Sequence, residues 1–246
     1  GSGMVTLEGA ATLDVLNIIG TLDDNGNNIN NTRNNLIITG SAYRDNITNT
    51  GKYVVINALG GADFIANGGN SSAIDAGEGN DFVGNTGENV TINTGAGDDS
   101  ISNQASSVSV YAGDGLDTLN NSNGSNVTLT GGADKDTITN YRGSKGLLDG
   151  GDDNDLLNNS GASSTVLGGA GDDSIVNSAG HVTIDAGDGN DSLNNSGENA
   201  FINLGAGNDS IIDNTGASST IDMGAGDDYI FNTVSAVSIH GNTGLD

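Results

Sequence analysis

The segment TGAGDDSISN, from Thr94 to Asn103, decides how the rest of the chain folds, because almost everything after residue 40 repeats it. Its fixed positions are two glycines, one aspartate, one aliphatic residue and one asparagine. The aspartate returns every 18 or 19 residues, at Asp45, Asp63, Asp81, Asp99, Asp117, Asp136, Asp155, Asp173, Asp191, Asp209, Asp228 and Asp246. A short fixed period predicts a solenoid, in which each repeat buries its apolar face only by stacking on its neighbours.

The composition narrows the class of protein. The 246 residues include 41 Gly, no Pro and no Cys, and the formal net charge is −26. Without cysteine there is neither a disulfide frame nor a thiolate metal site. Only six Lys and Arg residues are present, which argues against nucleic acid as a partner. No apolar run approaches the roughly 18 residues of a membrane span, so none is expected.

Three segments of unequal length are distinguished. Residues 1–4 resemble a cloning remnant, and residues 5–26 fit the repeat poorly, so they are predicted to form an N-terminal cap over the open end of the stack. Residues 27–246 form the repeat, with Asn27 in the aspartate position of a degenerate first turn. The sequence ends in mid-repeat, so we expect it to be a piece of a larger protein.

Two aliphatic positions recur in every repeat and predict two short strands per turn. One position lies two residues after the aspartate: Ile29, Ile47, Ile65, Val83, Ile101, Leu119, Ile138, Leu157, Ile175, Leu193, Ile211 and Ile230. The other lies about eleven residues after it: Ile38, Ile56, Ile74, Ile92, Val110, Leu129, Leu148, Val166, Ile184, Ile202, Ile221 and Ile239. Alternation of apolar and polar residues around these positions is typical of strands with one buried face.

An asparagine position predicts a ladder of side-chain amides along one corner of the solenoid. It comprises Asn31, Asn49, Asn67, Asn85, Asn103, Asn121, Asn140, Asn159, Asn177, Asn195, Asp213 and Asn232. Amides stacked at the strand spacing can exchange hydrogen bonds from turn to turn. In the three 19-residue turns the extra residue is placed just after this position, ahead of Gly124, Gly143 and Gly216. The corner that contains the glycines and the aspartate keeps a constant length, as a geometrically constrained site would require.

The constant corner carries the chemistry. It reads GAGDD at Gly95–Asp99 and GDGND at Gly187–Asp191, and with the following aliphatic residue it resembles the nonapeptide G-G-x-G-x-D-x-U-x of the RTX (hemolysin-type) calcium-binding β-roll family. The resemblance covers residues from about 40 to 246. It implies calcium between adjacent turns, ligated by the aspartates and by loop carbonyl groups.

The predicted metal ligands follow from this resemblance. The aspartates are Asp63, Asp81, Asp99, Asp117, Asp136, Asp155, Asp173, Asp191, Asp209 and Asp228. The loop glycines are Gly77, Gly79, Gly95, Gly97, Gly113, Gly115, Gly169, Gly171, Gly187, Gly189, Gly205, Gly207, Gly224 and Gly226. RTX turns usually carry the motif at both corners, whereas these carry it at one, so a single row of about ten calcium ions is expected.

Electrostatics supports the same prediction independently of the family. Aspartates repeating at about 4.8 Å along a solenoid repel by about 1 kcal/mol in water and by about 3 kcal/mol at an effective dielectric of 20. Oxygen-rich loops suit Ca²⁺, and ions between the loops would turn repulsion into adhesion. The alternative is a solvated acidic edge, with aspartate chosen for its turn propensity.

Three loops depart from the motif. Residues 41–45, SAYRD, lack both glycines, which puts calcium at Asp45 in doubt. Asp134 and Asp153 replace the second glycine in their loops, so an added carboxylate is expected to alter the coordination there.

Other functions were weighed against this interpretation. Lys135, Tyr141, Arg142 and Lys145 could contact an acidic glycan, as in an accessory module of a polysaccharide-modifying enzyme. A partial outward column resembles the arrays of ice-binding solenoids; it consists of Thr91, Thr128, Thr165, Thr183 and Thr220. Val55, Leu147 and Phe201 interrupt it, so ordinary β-propensity explains it better. No catalytic arrangement is detectable around His181 and His240, so no enzyme activity is expected.

The sequence therefore predicts an all-β, right-handed parallel β-roll of about twelve turns, roughly 55–60 Å long. The expected function is that of a calcium-binding structural section of a large secreted or cell-surface bacterial protein of the adhesin or toxin type. The resemblance implies type I export and folding outside the cell, where calcium is abundant. Calcium is the expected partner, with a surface glycan, another protein, or end-to-end association through unpaired strand edges as further candidates.

Overall fold

The chain forms a β-solenoid of two long parallel sheets. The structure, a computed structural model, describes residues 4–7 by their backbone and residues 26–245 in full. The described residues form 25 strands and no helix, so none of them spans a membrane as a helix. Each turn contributes one short strand to each sheet, and there are about twelve turns, which confirms the predicted all-β solenoid.

The first sheet contains thirteen strands. They are β1 (Met4–Leu7), β2 (Asn28–Asn31), β4 (Asn46–Asn49), β6 (Phe64–Asn67), β8 (Phe82–Asn85), β10 (Ser100–Asn103), β12 (Thr118–Asn121), β14 (Thr137–Asn140), β16 (Leu156–Asn159), β18 (Ser174–Asn177), β20 (Ser192–Asn195), β22 (Ser210–Asn214) and β24 (Tyr229–Asn232). We call it sheet A.

The second sheet, sheet B, contains twelve strands. They are β3 (Ile37–Ser41), β5 (Val55–Leu59), β7 (Ala73–Glu78), β9 (Thr91–Ala96), β11 (Ser109–Asp114), β13 (Thr128–Ala133), β15 (Leu147–Asp152), β17 (Thr165–Ala170), β19 (Thr183–Asp188), β21 (Phe201–Asn203), β23 (Thr220–Asp222) and β25 (Ser238–His240).

The register between strands aligns the repeat positions into columns. In sheet A, Ile101 pairs with Val83 on one side and Leu119 on the other; in sheet B, Val110 pairs with Ile92 and Leu129. Both predicted aliphatic columns therefore form, and most of their members are fully buried. A buried aliphatic side chain contributes roughly 1.5–3 kcal/mol, so the two facing columns form the core. Ile239, in the last strand of sheet B, is 44% exposed because no further turn covers it.

The N-terminal segment adds one strand to this arrangement. β1 lies parallel to β2, with Met4 opposite Asn28 and Val5 opposite Ile29, which continues the aliphatic column of sheet A. The rest of the predicted cap, residues 8–25, and the final aspartate, Asp246, lie outside the described residues.

The asparagine ladder forms at the end of each sheet A strand. Asn121 shows the pattern: its Nδ2 donates to the Gly124 carbonyl (2.7 Å) and to Asn140 Oδ1 (2.8 Å), while its Oδ1 accepts from the Gly124 N–H (3.1 Å) and from Asn103 Nδ2 (2.9 Å). Both amide hydrogens and both lone-pair directions are used. All ladder asparagines except Asn232 are buried, and from Asn49 to Asn195 each of them makes the same four hydrogen bonds.

One ladder position was predicted incorrectly. Asn214, and not Asp213, accepts from Asn195 Nδ2 (2.9 Å) and donates to Asn232 (2.7 Å). The extra residue of this turn forms a bulge within β22, between Ile211 and Asn214, so it precedes the ladder. A bulge turns Ile212 and Asp213 outward and lets an asparagine reach the buried corner, where its amide can both donate and accept. In the other two long turns, Gly124 and Gly143 lie one residue later than usual, as predicted.

A column of left-handed residues follows the asparagine corner and was not predicted. The residue two positions before the first residue of each sheet B strand has φ between 54° and 64°. The column consists of Asn35, Tyr53, Ser71, Asn89, Ser107, Asn126, Lys145, Ser163, His181, Asn199, Ser218 and Ala236. Asparagine tolerates this conformation, but for most L-residues it costs about 1–2 kcal/mol. The frequency of Asn and Ser at this position was the available signal.

Removing one ladder amide should destabilise the solenoid. We expect Asn121→Ala to lower the free energy of unfolding by about 2–4 kcal/mol, because several buried hydrogen bonds are lost and their partners stay buried. Asn120→Ala, one residue earlier and facing outward, is the matched control and should cost less than about 1 kcal/mol. Urea unfolding followed by circular dichroism measures both, and equal losses would contradict the role given to the ladder.

Relieving strain in the left-handed column should stabilise the fold. Tyr53 is 61% exposed and has φ of 58°. Tyr53→Gly relieves the backbone strain of the folded state but increases the conformational entropy of the unfolded chain. The net effect is expected to raise the free energy of unfolding by about 0.5–1 kcal/mol. Tyr111→Gly, in the middle of β11, is the control and should lower it by a similar amount. Thermal unfolding of the two variants should shift in opposite directions.

Candidate metal centre

The repeated aspartates form one buried row at the start of the sheet A strands. Each of them directly precedes such a strand, at the corner opposite the asparagine ladder. From Asp45 to Asp228 their exposed fractions are between 0% and 7%. The alternative of a solvated acidic edge is therefore wrong for the described residues, because these carboxylates face inward.

One oxygen of each carboxylate is tied to the preceding turn. The backbone N–H of Asp81 donates to Asp99 Oδ1 (2.7 Å), that of Asp99 donates to Asp117 Oδ1 (2.7 Å), and the same bond recurs at 2.6–2.8 Å from Asp45 to Asp228. The N–H of Asn27 donates to Asp45 in the same way, which places Asn27 in the aspartate position. The row is thus a continuous ladder that joins each turn to the next.

The second oxygen has no partner in ten successive turns. It is buried and makes no hydrogen bond at Asp63, Asp81, Asp99, Asp117, Asp136, Asp155, Asp173, Asp191, Asp209 and Asp228. Buried polar atoms are nearly always satisfied in native proteins, and an unsatisfied one points to a missing ion, water or proton. Because the same oxygen lacks a partner in these ten successive turns, the feature is a property of the repeat.

Asp45 is the exception, and its loop is the one that lacks both glycines. There the Ser41 N–H donates to Asp45 Oδ2 (2.7 Å), and the Ser41 hydroxyl also lies within hydrogen-bond distance of the carboxylate. The protein itself satisfies this carboxylate. Loops with the glycine motif leave the equivalent oxygen open.

The glycines of the motif allow the loops to stack closely. Gly95 and Gly97 have φ of 104° and 129°. A Cβ on Gly95 would lie 2.1 Å from the Gly77 carbonyl oxygen, and one on Gly97 would lie 2.4 Å from that of Gly79. The carbonyl oxygens therefore point between turns, into space that a side chain would fill. In the described loops the carbonyl oxygens of Gly79, Gly97 and Gly115 accept no hydrogen bond.

Three motif positions hold side chains in conformations that favour glycine. Asp134 and Asp153 replace the second glycine with φ of 70° and 71°, and Leu59 replaces a first glycine with φ of 82°. Their exposed side chains point away from the stack. Asp153 also raises the pKa of Asp155 after the larger effect of burial, so the added carboxylate increases the local negative field.

Small residues make room beside the free oxygens. A Cβ on Gly131 would lie 2.1 Å from Asp136 Oδ2, and one on Gly150 would lie 2.2 Å from Asp155 Oδ2. Most residues at this position, five before each aspartate, are glycine or alanine; the exceptions are Thr94, Leu204 and Met223. The Oδ2 atoms of Asp136 and Asp155 therefore occupy space that a side chain at this position would fill.

Burial shifts the pKa of the row strongly upward. Burial raises the pKa of Asp63, Asp81, Asp117 and Asp136 to about 7, and that of Asp155, Asp173, Asp191 and Asp209 to about 6. The hydrogen bond from the preceding backbone N–H opposes this rise, and neighbouring carboxylates add to it. The pKa of Asp99 is raised by burial as well. Metal-free carboxylates in this row therefore bind protons near neutral pH.

The exposed acids of the same loops alternate along the solenoid. The residue between the two glycines is acidic on every second turn, at Glu78, Asp114, Asp152 and Asp188, with alanine on the turns between. Alternation doubles the spacing to about 9.6 Å and halves the Coulomb repulsion. The alternation is present in the sequence, but it becomes visible only when the loops are aligned by the strand register.

A second ladder runs beside the buried row. In the residue before each aspartate, the Asn190 N–H donates to Asp172 Oδ1 (2.7 Å), the Asn208 N–H to Asn190 Oδ1 (2.9 Å), and the Asp227 N–H to Asn208 Oδ1 (2.8 Å). Its bonds run in the opposite direction to those of the buried row. From Asn80 to Leu116 and from Asp172 to Asp227, two adjacent ladders of opposite sense therefore fix the height of each loop on the next.

The basic residues singled out by sequence are divided between the two corners. Lys135 directly precedes Asp136, whereas Tyr141, Arg142 and Lys145 follow β14 at the asparagine corner. The four residues of β14 span about 13 Å, so Lys135 is separated from the other three. The threonine column lies on the outer face of sheet B, interrupted by Leu147 and Phe201 in register.

The donor set of the buried row is one carboxylate oxygen per turn together with loop carbonyl groups. Within the described ranges, no three His, Cys, Asp or Glu side chains converge to hold a metal by themselves. Calcium takes six to eight oxygen ligands, and backbone carbonyls commonly supply several of them. The arrangement suits a hard cation held jointly by backbone and side chains.

Without metal, we expect the free energy of unfolding to fall as the pH rises from about 4 to about 7. The pKa of most row carboxyls is raised to about 6 or 7 from an ordinary value of 3.8, so between these values the folded chain binds more protons than the unfolded chain. This stabilisation is complete below the unfolded pKa and disappears as the pH passes the folded one. Urea unfolding in EDTA at several pH values measures the trend.

Substitutions at two neighbouring residues test this trend: Asp173 is the test position and Asp172 is the control. Asp173→Asn should reduce the pH dependence, because Asp173 is buried and its pKa is raised, whereas Asp172→Asn, on the exposed loop surface, should leave it nearly unchanged. Metal-free protein that becomes more stable between pH 4.5 and 7.5 would contradict the pKa shifts.

Comparison with known proteins found no relative: no protein-family model, no curated protein and no solved structure matches the chain. Membership of the RTX family stays a prediction that rests on the motif.

Proposed function

We propose that this chain is a calcium-binding structural module, in which cations neutralise the buried aspartate row and hold successive turns together. The observation that carries the proposal is the set of ten buried carboxylate oxygens without a hydrogen-bond partner. An uncompensated buried carboxylate is very costly, and it either takes up a proton or pairs with a cation. Ten divalent ions would supply a charge of about +20 against a net charge of −26, which is close to neutralisation.

Protons and cations compete for the same oxygens. At the raised pKa values of the row, protons are retained in mildly acidic solution and lost above neutrality. In neutral or alkaline surroundings without metal, the carboxylates repel each other and the fold is weakened. A cation then becomes the only remaining compensation within the corner.

The chemistry of the corner favours calcium over other metals. Its donors are oxygens, since the sequence has no cysteine and His181 and His240 lie outside the row. Hard oxygen ligands and a backbone-built site that adapts its coordination number suit Ca²⁺, whereas Mg²⁺ requires stricter octahedral geometry. The residues that would hold the ion are the row aspartates and the carbonyl groups of loop glycines such as Gly79 and Gly97.

The loop of Asp45, which lacks both glycines, supports the calcium assignment because it differs from the other loops. Ser41 satisfies Asp45 without a metal, so the metal row would begin at Asp63. The wider setting follows from the motif resemblance: a repeat section of a secreted or surface-attached bacterial protein, folding after export in millimolar calcium, where ligand binding contributes directly to folding free energy.

Calcium should control folding at pH 8. We expect far-UV circular dichroism to show loss of strand signal in excess EDTA and recovery in millimolar calcium, because pH 8 lies above the pKa of about 6 or 7 of most row carboxyls. Isothermal titration calorimetry should give about ten ions per chain. Native strand signal in EDTA at pH 8, or calcium binding to only one or two sites, would contradict the proposal.

The effect of one substitution on the free energy of unfolding should change sign when calcium is added. Asp117→Asn removes one buried charge, so it should stabilise the chain in EDTA; in calcium it should destabilise it by up to about 2.7 kcal/mol, the value of one site at calcium a hundredfold above Kd. Asp114→Asn removes an exposed acid of the same loop; it is the control and should alter stability less than Asp117→Asn in either condition, because its side chain is solvated. The same sign for Asp117→Asn in both conditions would show that Asp117 is not a ligand.

A further inference from the structure

Two phenylalanines lie side by side on the outer face of sheet A. Phe64 in β6 pairs with Phe82 in β8, and their exposed fractions are 39% and 37%. Their ring centroids are 5.1 Å apart and their planes differ by 10°, the only stacked pair within residues 26–245. Their strand positions in the neighbouring turns, Asn46 and Ser100, are polar.

The two rings are offset, so part of each ring face is open. Parallel rings in contact have planes about 3.5–4.0 Å apart, and a centroid distance of 5.1 Å then requires a sideways displacement of roughly 3–4 Å. Phe82 leans along its strand, because a Cβ on Gly84 would lie 3.4 Å from Phe82 Cε1. The rings thus form one wall of a shallow groove whose floor is Ala66 and Gly84.

The rim of the groove is polar and uncharged. It is formed by Thr48, Thr50, Thr86, Ser102 and Gln104. Thr50 and Thr86 hydroxyls make only long contacts, at 3.3 and 3.4 Å, to backbone carbonyls of the preceding turn. The side chains of Thr48, Ser102 and Gln104 have no hydrogen-bond partner within the described part of the chain. No ionisable residue lines the groove, although the chain has a net charge of −26.

The size of the groove suits a small ligand better than a protein. Its volume is about 460 Å³, within the range of about 300–1,000 Å³ for small-molecule sites. It crosses the four strands β4, β6, β8 and β10, about 14 Å, and extends along the length of one strand, about 13 Å. Its footprint of roughly 200 Å² is well below the roughly 800 Å² per side of a stable protein interface.

We propose that this groove binds a neutral carbohydrate, with one pyranose ring against the exposed faces of Phe64 and Phe82. A pyranose presents an apolar C–H face to aromatic rings and equatorial hydroxyls at its edge. The threonine and serine hydroxyls and the Gln104 amide can donate to and accept from those hydroxyls. The lack of charged groups excludes strong recognition of uronic acids or cationic sugars. The site is separate from the aspartate corner, so it does not depend on the calcium proposal.

The test is saturation-transfer NMR on the folded chain with three neutral hexasaccharides, cellohexaose, laminarihexaose and maltohexaose, and with an anionic hexauronate as comparison. We expect transfer to at least one neutral sugar and none specific to the uronate. Phe82→Ala should weaken binding about tenfold or more, since an aromatic contact is lost. Gly84→Ala, whose Cβ would be in ordinary contact with Phe82 Cε1, raises the floor while keeping both rings and should weaken binding by a smaller factor.

Phe201→Ala is the matched control, because Phe201 is an exposed phenylalanine on sheet B, 52% exposed and outside the groove. Circular dichroism of each variant establishes that the fold is retained. Absence of transfer to all three sugars, equal loss in Phe201→Ala, or stronger binding of the uronate would overturn the proposal. A concentration-dependent dimer abolished by Phe82→Ala would identify a second copy as occupant and would also overturn it.

Discussion

The hydrogen bond from each aspartate N–H to the carboxylate of the next turn is the interaction on which this solenoid depends. It draws ten consecutive carboxylates into a buried file and fixes the height of every loop above the one before. Because only one oxygen of each carboxylate is used, the same bond that aligns the turns creates a row of unsatisfied charge. Stability of the corner is therefore set by what occupies the second oxygen, a proton or a cation.

The two corners differ in how their buried polar side chains are hydrogen-bonded. At the asparagine corner, a neutral amide can donate and accept, so each residue satisfies both neighbours and its own loop. At the aspartate corner, an ionised carboxylate only accepts, and the protein supplies one donor per turn. The Asp45 loop shows that a backbone N–H can supply the second donor when the glycines are absent. The motif loops supply no second donor to the carboxylate, as we expect of loops that bind an external ligand.

The outer surface is organised by the same stacking. Every side chain on it has a neighbour about 4.8 Å above and below, so like charges are separated by alternation, as in Glu78, Asp114, Asp152 and Asp188, and aromatic residues on adjacent turns meet, as Phe64 and Phe82 do. The first arrangement limits repulsion. The second gives the outer face of sheet A a shallow groove with an aromatic wall and an uncharged polar rim.

The period of the sequence by itself determined the solenoid, the two aliphatic columns and the glycine corner, because a regular stack forces residues at equal positions to lie above one another. It could not locate Asn214, since the bulge that brings Asn214 into the ladder depends on the hydrogen-bonding demand of a buried corner and not on spacing. It also left open whether the aspartates face water or the core. Only the tertiary structure decided that, by closing each loop onto the next so that one carboxylate oxygen binds backbone and the other is enclosed.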